Sequence, residues 1–174
     1  GEQWEWGSSV LSFDLADFGS AQEKSRDWVR GYGNVIMATD KFLFVAQQTY
    51  EGQTPPYSSI LNCFDISSPT GEFTKLSSFN AGGTVKDKFK MHVDGETFAV
   101  VVQIENWNAN PRLITQLNTF SLADPRTPTK LGSLRIIDNE QLFATRFDGK
   151  RLYAVTFFII DPLWIIDMSD PAAP

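Results

Sequence analysis

The chain is short of the residues on which most protein chemistry depends. Its 174 residues include one cysteine, Cys63, and one histidine, His92. A single cysteine excludes an intramolecular disulfide and any zinc site built on paired cysteines. A cysteine–histidine nucleophile pair would need Cys63 and His92 within hydrogen-bond reach. Cys63 instead lies within an apolar strand, the usual setting of a small buried hydrophobe. Long apolar runs are also absent. The longest nearly apolar run, Leu152 to Ile160, falls far short of the about 20 residues that cross a bilayer, so no membrane span is expected. No charged segment followed by an apolar one opens the chain. Gly1 and the stop after Asp170-Pro171 read as cuts in a longer protein.

Positive charge is scarce as well. Fifteen Lys and Arg stand against 21 Asp and Glu, a net charge of −6, which repels phosphate backbones and argues against a nucleic-acid partner. There is no phosphate-binding loop, no dinucleotide fingerprint and no His-Glu-x-x-His. Gly31-Tyr-Gly33 precedes a strand and reads as a turn. No Asp-x-Asp-x-Asp loop offers the ligands calcium needs. Neither a metal nor a cofactor is expected.

What the chain has is Phe, 14 of them, and a repeat. Four segments share a pattern: Val10-Leu-Ser-Phe-Asp-Leu-Ala-Asp17, Leu61-Asn-Cys-Phe-Asp-Ile-Ser-Ser68, Leu117-Asn-Thr-Phe-Ser-Leu-Ala-Asp124 and Leu163-Trp-Ile-Ile-Asp-Met-Ser-Asp170. Each is a short apolar strand, an Asp or Ser, one more apolar residue and a polar turn. Pro69, Pro125 and Pro171 follow the last three. Phe13, Phe64, Phe120 and Ile166 are 51, 56 and 46 residues apart in turn, at or above the blade length of about 40–50 residues in four-stranded propeller repeats. Between these segments lie hairpins. Phe89 to Val93 and Thr97 to Val102 flank Asp94-Gly95-Glu96; Leu142 to Phe147 and Arg151 to Thr156 flank Asp148-Gly149-Lys150. Asp-Gly supplies the positive φ that tight hairpin turns need. The first copy, Val35 to Thr39 and Phe42 to Ala46 around Asp40-Lys41, lacks the glycine. A Thr-Lys-Leu strand completes two of the units, at Phe73 to Phe79 and Pro128 to Leu134.

Two hairpin strands, a Phe-Asp strand and a Thr-Lys-Leu strand make four antiparallel strands per repeat. The expected fold is therefore all-β: a β-propeller type of about three four-stranded blades plus the first strand of another. The whole chain reads as a single domain or a fragment of a longer propeller. Its units run roughly over 10–59, 60–115 and 116–161, with a fourth starting at 162–174. The stretch from Gly19 to Gly33, polar and charged, departs from the pattern and is expected to be a helical turn or a long loop. Strands such as Phe42 to Ala46, Phe98 to Val102 and Leu152 to Thr156 are apolar almost throughout, as strands buried on both faces are. Three units do not close a ring, so either a longer chain or self-association is expected to cover the open ends.

Over Glu140 to Pro171 the chain resembles secreted bacterial and archaeal proteins with a C-terminal β-propeller domain distantly related to WD repeats. The resemblance rests on Val155-Thr-Phe157, Asp161-Pro-Leu163 and Ile165-Ile-Asp-Met-Ser-Asp-Pro171, and it is looser over Val10 to Leu134. It implies a propeller fold and export to a secreted, periplasmic or cell-surface location. It transfers no catalytic residue. Members of that family continue past the Asp-Pro turn into further blades.

Candidate sites are few. Asp14, Asp65 and Asp167 recur in register, which suits a structural acceptor for the following turn. Lys86, Lys88, Lys90 and His92 alternate with apolar residues and so share one face of a strand. That face is either a solvated edge that discourages pairing or an anion-binding strip. The long loops at Gln47 to Ser59 and Gln103 to Arg112 occupy equivalent positions and emerge on one end of the scaffold, where function tends to sit. They carry Tyr50, Tyr57, Glu105, Trp107, Asn108 and Arg112. Aromatics there stack on sugar rings or fill a partner's pocket, unless they fold back as loop anchors. The sequence favours a non-catalytic binding module of an exported bacterial protein, its partner a protein or a surface polysaccharide. The alternative is part of a propeller hydrolase whose active site is completed by further blades.

Overall fold

A computed structural model describes residues 5–16, 18–49, 57–157 and 163–174. Among them run thirteen strands in four antiparallel sheets, and in each sheet strands adjacent in sequence are adjacent in space. The first sheet pairs β1 (Gly7–Asp14) with β2 (Gln22–Arg30). The second runs through β3 (Tyr32–Ala38), β4 (Phe42–Thr49), β5 (Ser58–Asp65) and β6 (Thr74–Asn80). The third holds β7 (Met91–Asp94), β8 (Thr97–Glu105), β9 (Leu113–Ser121) and β10 (Thr129–Asp138). The fourth holds β11 (Gln141–Asp148), β12 (Arg151–Phe157) and β13 (Leu163–Asp167). Such meandering sheets, stacked face to face, are the architecture of a partial propeller.

The repeat seen in the sequence is a repeat of hydrogen bonds. Gly95 and Gly149 turn the hairpins with φ of 57° and 51°. The hairpin without glycine is closed by a side chain instead: the Phe42 N–H donates to Thr39 Oγ1 at 2.8 Å. After the Phe-Asp strand, Asp14 Oδ1 accepts from the Ala16 N–H, Asp65 Oδ1 from Ser67 and Asp167 Oδ1 from Ser169, each at 2.9 Å. Ser121 Oγ does the same for Ala123 at 3.2 Å. The next N–H anchors this turn to the hairpin of its own sheet: Ile66 to Lys41 O at 2.9 Å, Leu122 to Glu96 O at 2.7 Å and Met168 to Lys150 O at 2.8 Å. The recurring acids are thus the structural acceptors expected of them.

Packing follows from which sheets have neighbours. Phe98 to Val102 of β8 is buried on both faces. Phe98, Val100 and Val102 face the second sheet, where Phe98 stacks on Phe44 with ring centroids 4.4 Å apart. Ala99 and Val101 face Leu152 and Ile166 of the fourth sheet. Each large apolar side chain so enclosed contributes about 1.5–3 kcal/mol. In β12 burial alternates: Leu152, Ala154 and Thr156 are buried, whereas Tyr153 and Val155 are half-buried and Phe157 is exposed. No sheet covers that second face among the described residues, so near-continuous burial holds for β8 but not for β12. Polar seams join the sheets as well. Asn118 Nδ2 donates to Ala81 O at 2.8 Å. Gly82 lies at φ +83° and a Cβ there would sit 2.8 Å from that same nitrogen.

Two features depart from the sequence reading. Gln22 to Arg30 is a nine-residue strand, β2, preceded by a short 3-10 turn at Phe18–Ser20. Its charged residues fit because β2 is an edge strand of a two-stranded sheet, and Val29 alone is buried along it. The sheets are also out of phase with units counted from the Phe-Asp strand, because that strand is the third of its sheet. The thirteen described strands therefore divide as two complete sheets, one of three strands and one of two.

Candidate functional site

The described ends of the first two long loops, Tyr57 and Gln103, lie on either side of one short segment. Thr84, on the crossing between the second and third sheets, exchanges backbone hydrogen bonds with Gln103 at 2.8 and 3.0 Å. Its hydroxyl donates to Tyr57 O at 3.5 Å. One short segment thus ties the end of the first loop to the start of the second. Tyr57 is 38% exposed and Trp107 is 68% exposed. The Trp107 loop is braced rather than loose: Asn106 N donates to Arg112 O at 2.8 Å, Arg112 N to Asn139 Oδ1 at 2.9 Å and Asn108 N to Asn106 Oδ1 at 3.1 Å. Glu105 pairs with Lys86, Nζ to Oε1 2.9 Å, an exposed ion pair that adds little stability but cancels both charges. Asn108 and Arg112 are exposed. Tyr50 lies outside the described residues.

The four-residue basic strip is not formed as a strand face. Lys88–Lys90 is a 3-10 turn, and β7 begins only at Met91. Asp87 starts the turn by accepting the Phe89 N–H on Oδ1 at 2.9 Å. Lys90 is then drawn inward to 2% exposure and pairs with Asp87, Nζ to Oδ2 3.0 Å. Alternation fails because an aspartate three residues before Lys90 caps a turn in preference to continuing a strand. Lys86 is paired with Glu105, and Lys88 lies over the Phe89 ring at 5.2 Å. His92 stacks on Phe147 at 4.9 Å and 11°, and its Nε2 is buried with no hydrogen-bond partner among the described residues.

The remaining reactive groups are placed structurally. Cys63 is fully buried, and burial, then the Asp65 charge, pushes its thiol up to about 12; at neutral pH it is a protonated hydrophobe, not a nucleophile. Buried Glu140 accepts from Thr156 Oγ1 on Oε2 at 2.7 Å, and Trp164 Nε1 donates to the same hydroxyl at 3.4 Å. This seam braces the start of β11 against β12 and β13. Among the described residues no cluster of three His, Cys, Asp or Glu is placed to hold a metal.

The first strands of the second, third and fourth sheets border an open hollow of about 890 Å³ lined by residues including Ile36, Met37, Lys88, Phe89, His92, Arg146 and Phe147. Of the basic strip only Lys88 and His92 reach it; Arg146, Phe89 and Ile36 were not singled out from the sequence. The available signal was Asp87, whose spacing to Lys90 is that of a capped turn.

No curated protein matches the chain. A family model described as beta propeller domain matches residues 3–174. Four meandering antiparallel sheets, repeated acid-capped turns and that match over nearly the whole length agree, and the chain belongs to the beta propeller domain family.

Proposed function

We propose that the chain is a non-catalytic interaction module of an exported protein, and that its partner is a protein or a surface polysaccharide. The observation that carries this reading is Trp107, 68% exposed on a loop that three hydrogen bonds hold in place. A rigidly presented aromatic loses little entropy on binding and brings a large contact area. Tyr57 lies on the same end, linked through Thr84. Propeller domains serve in general as interaction modules, which supports the same reading. Export rests on the sequence resemblance; a leader at the start of the full reading frame would support it. The apolar faces of the first and last sheets, with Trp28 49% and Ile165 64% exposed, suit self-association as a second interaction.

The test is binding of the chain to a panel of soluble polysaccharides and to a displayed peptide library. Trp107→Ala with Tyr57→Ala should weaken whichever binding is found by about tenfold or more. Undiminished binding by a folded double variant would sink the loop-end reading. Enrichment of glycans or of peptides decides the partner class.

A further inference from the structure

The turn before β7 inverts the usual placement of residues. Lys90, a charged side chain, is 2% exposed, while its neighbour Phe89 is 62% exposed. A buried charge is an informative departure from the usual placement, and local rules are most often broken at functional sites. The turn is held rigidly in this arrangement. Asp87 caps it and pairs with Lys90. From the neighbouring sheet, Thr145 Oγ1 donates to Phe89 O at 2.6 Å. Phe89 is therefore presented, not displaced.

It is presented to the open hollow of about 890 Å³ where the first strands of three sheets meet. Ile36, 59% exposed, lines the same space. Lys88 and Arg146 line it too, both exposed and without an ion-pair partner among the described residues. No Asp or Glu is among the described lining residues, in a chain whose net charge is −6. A hollow lined by two unpaired cations and no carboxylate favours anions over cations. Phe89 and Ile36 add an apolar surface beside the two cations.

We infer that this hollow binds an anionic organic ligand, a carboxylate attached to an aromatic or aliphatic group. The Arg146 guanidinium suits a planar carboxylate, which it can meet with two parallel N–H donors. Lys88 supplies a second cation, and Phe89 supplies a ring for the ligand's apolar part. This chemistry is found both in free aryl or alkyl acids and in acidic peptide segments. The site is separate from the Trp107 loop, so the two proposals fail independently.

The experiment is titration of the isotopically labelled full chain, followed by nuclear magnetic resonance. The probes are 3-phenylpropionate, its neutral analogue 3-phenylpropanol, and the blocked peptide acetyl-Asp-Phe-amide. Saturable shifts of Phe89, Met37 and Phe147 resonances are expected with an acid probe, weakening as salt rises. Saturation by 3-phenylpropionate assigns a free acid; saturation by the peptide alone assigns an acidic peptide segment. Lys88→Gln and Arg146→Gln, both at exposed positions, should each weaken binding by about fivefold or more. Phe89→Ser should do the same while leaving the fold intact. The proposal is overturned if neither acid saturates, if 3-phenylpropanol binds as well as the acids, or if the glutamine variants bind like the parent.

Discussion

Asp65 shows what one recurring residue does here. Its carboxylate accepts from the Ser67 hydroxyl at 2.6 Å and the Ser67 N–H at 2.9 Å. Those two bonds, in that order, hold its carboxyl below the ordinary aspartate range. Asp167 is lowered by the same pair of donors at Ser169, and Asp14 first by the Ala16 N–H and then by Lys24. A depressed carboxyl stabilises the fold fully above its unfolded value of about 3.9, and the contribution fades as pH falls through the lower folded value. Asp65→Ala should cost about 1 kcal/mol at neutral pH, read as a lowered midpoint in urea. Asp65→Asn should cost less, because an amide oxygen still caps the turn. The parent's margin over the alanine variant should persist to about pH 4 and shrink below it. A margin that does not change with acid would assign the effect to packing.

At the scale of single elements, the repeat was legible in sequence wherever side-chain chemistry and strand position coincide. The Leu61-Asn62-Cys63-Phe64 and Leu117-Asn118-Thr119-Phe120 strands announced themselves because both asparagines are buried acceptor–donors and both Phe are core residues. Asp-Gly marked the hairpins for the same reason. The Thr39 hydroxyl explains why the first hairpin manages without glycine. Gly95 has positive φ and nothing within 4 Å of an added Cβ. Gly95→Ala should therefore cost only the backbone term, about 1 kcal/mol, with hydrogen exchange quickening in β7 and β8 alone. A cost of several kcal/mol would mean that the turn is packed against something. Outer strands were harder to read. Gln22 to Arg30 carries charges on both faces and buries only Val29, so no apolar alternation marks it as a strand. The Lys88–Lys90 turn was hidden for another reason: perfect alternation is satisfied equally by a strand and by a capped turn that buries one lysine on its own aspartate. With it went Phe89 and Arg146, whose convergence depends on strands far apart in sequence.

At the scale of the molecule, the order of sheets decides where apolar surface is left uncovered. The third sheet has neighbours on both faces. The first leaves Leu11, Phe13 and Trp28 exposed at 37%, 49% and 49%; the fourth leaves Phe157, Leu163 and Ile165 at 73%, 55% and 64%. Apolar patches of this kind favour association. Sedimentation of the chain should show mass rising with concentration, and Phe157→Lys with Ile165→Lys should suppress the rise. A parent chain that stays monomeric throughout would remove self-association from the account. The fold rests on stacking: successive antiparallel sheets packed face to face in chain order. Nuclear Overhauser effects between aromatic rings report on that packing. Cross-peaks should join Phe44 to Phe98, whose centroids are 4.4 Å apart, and His92 to Phe147, 4.9 Å apart. A folded sample in which both pairs are silent, with each ring near other partners, would contradict it.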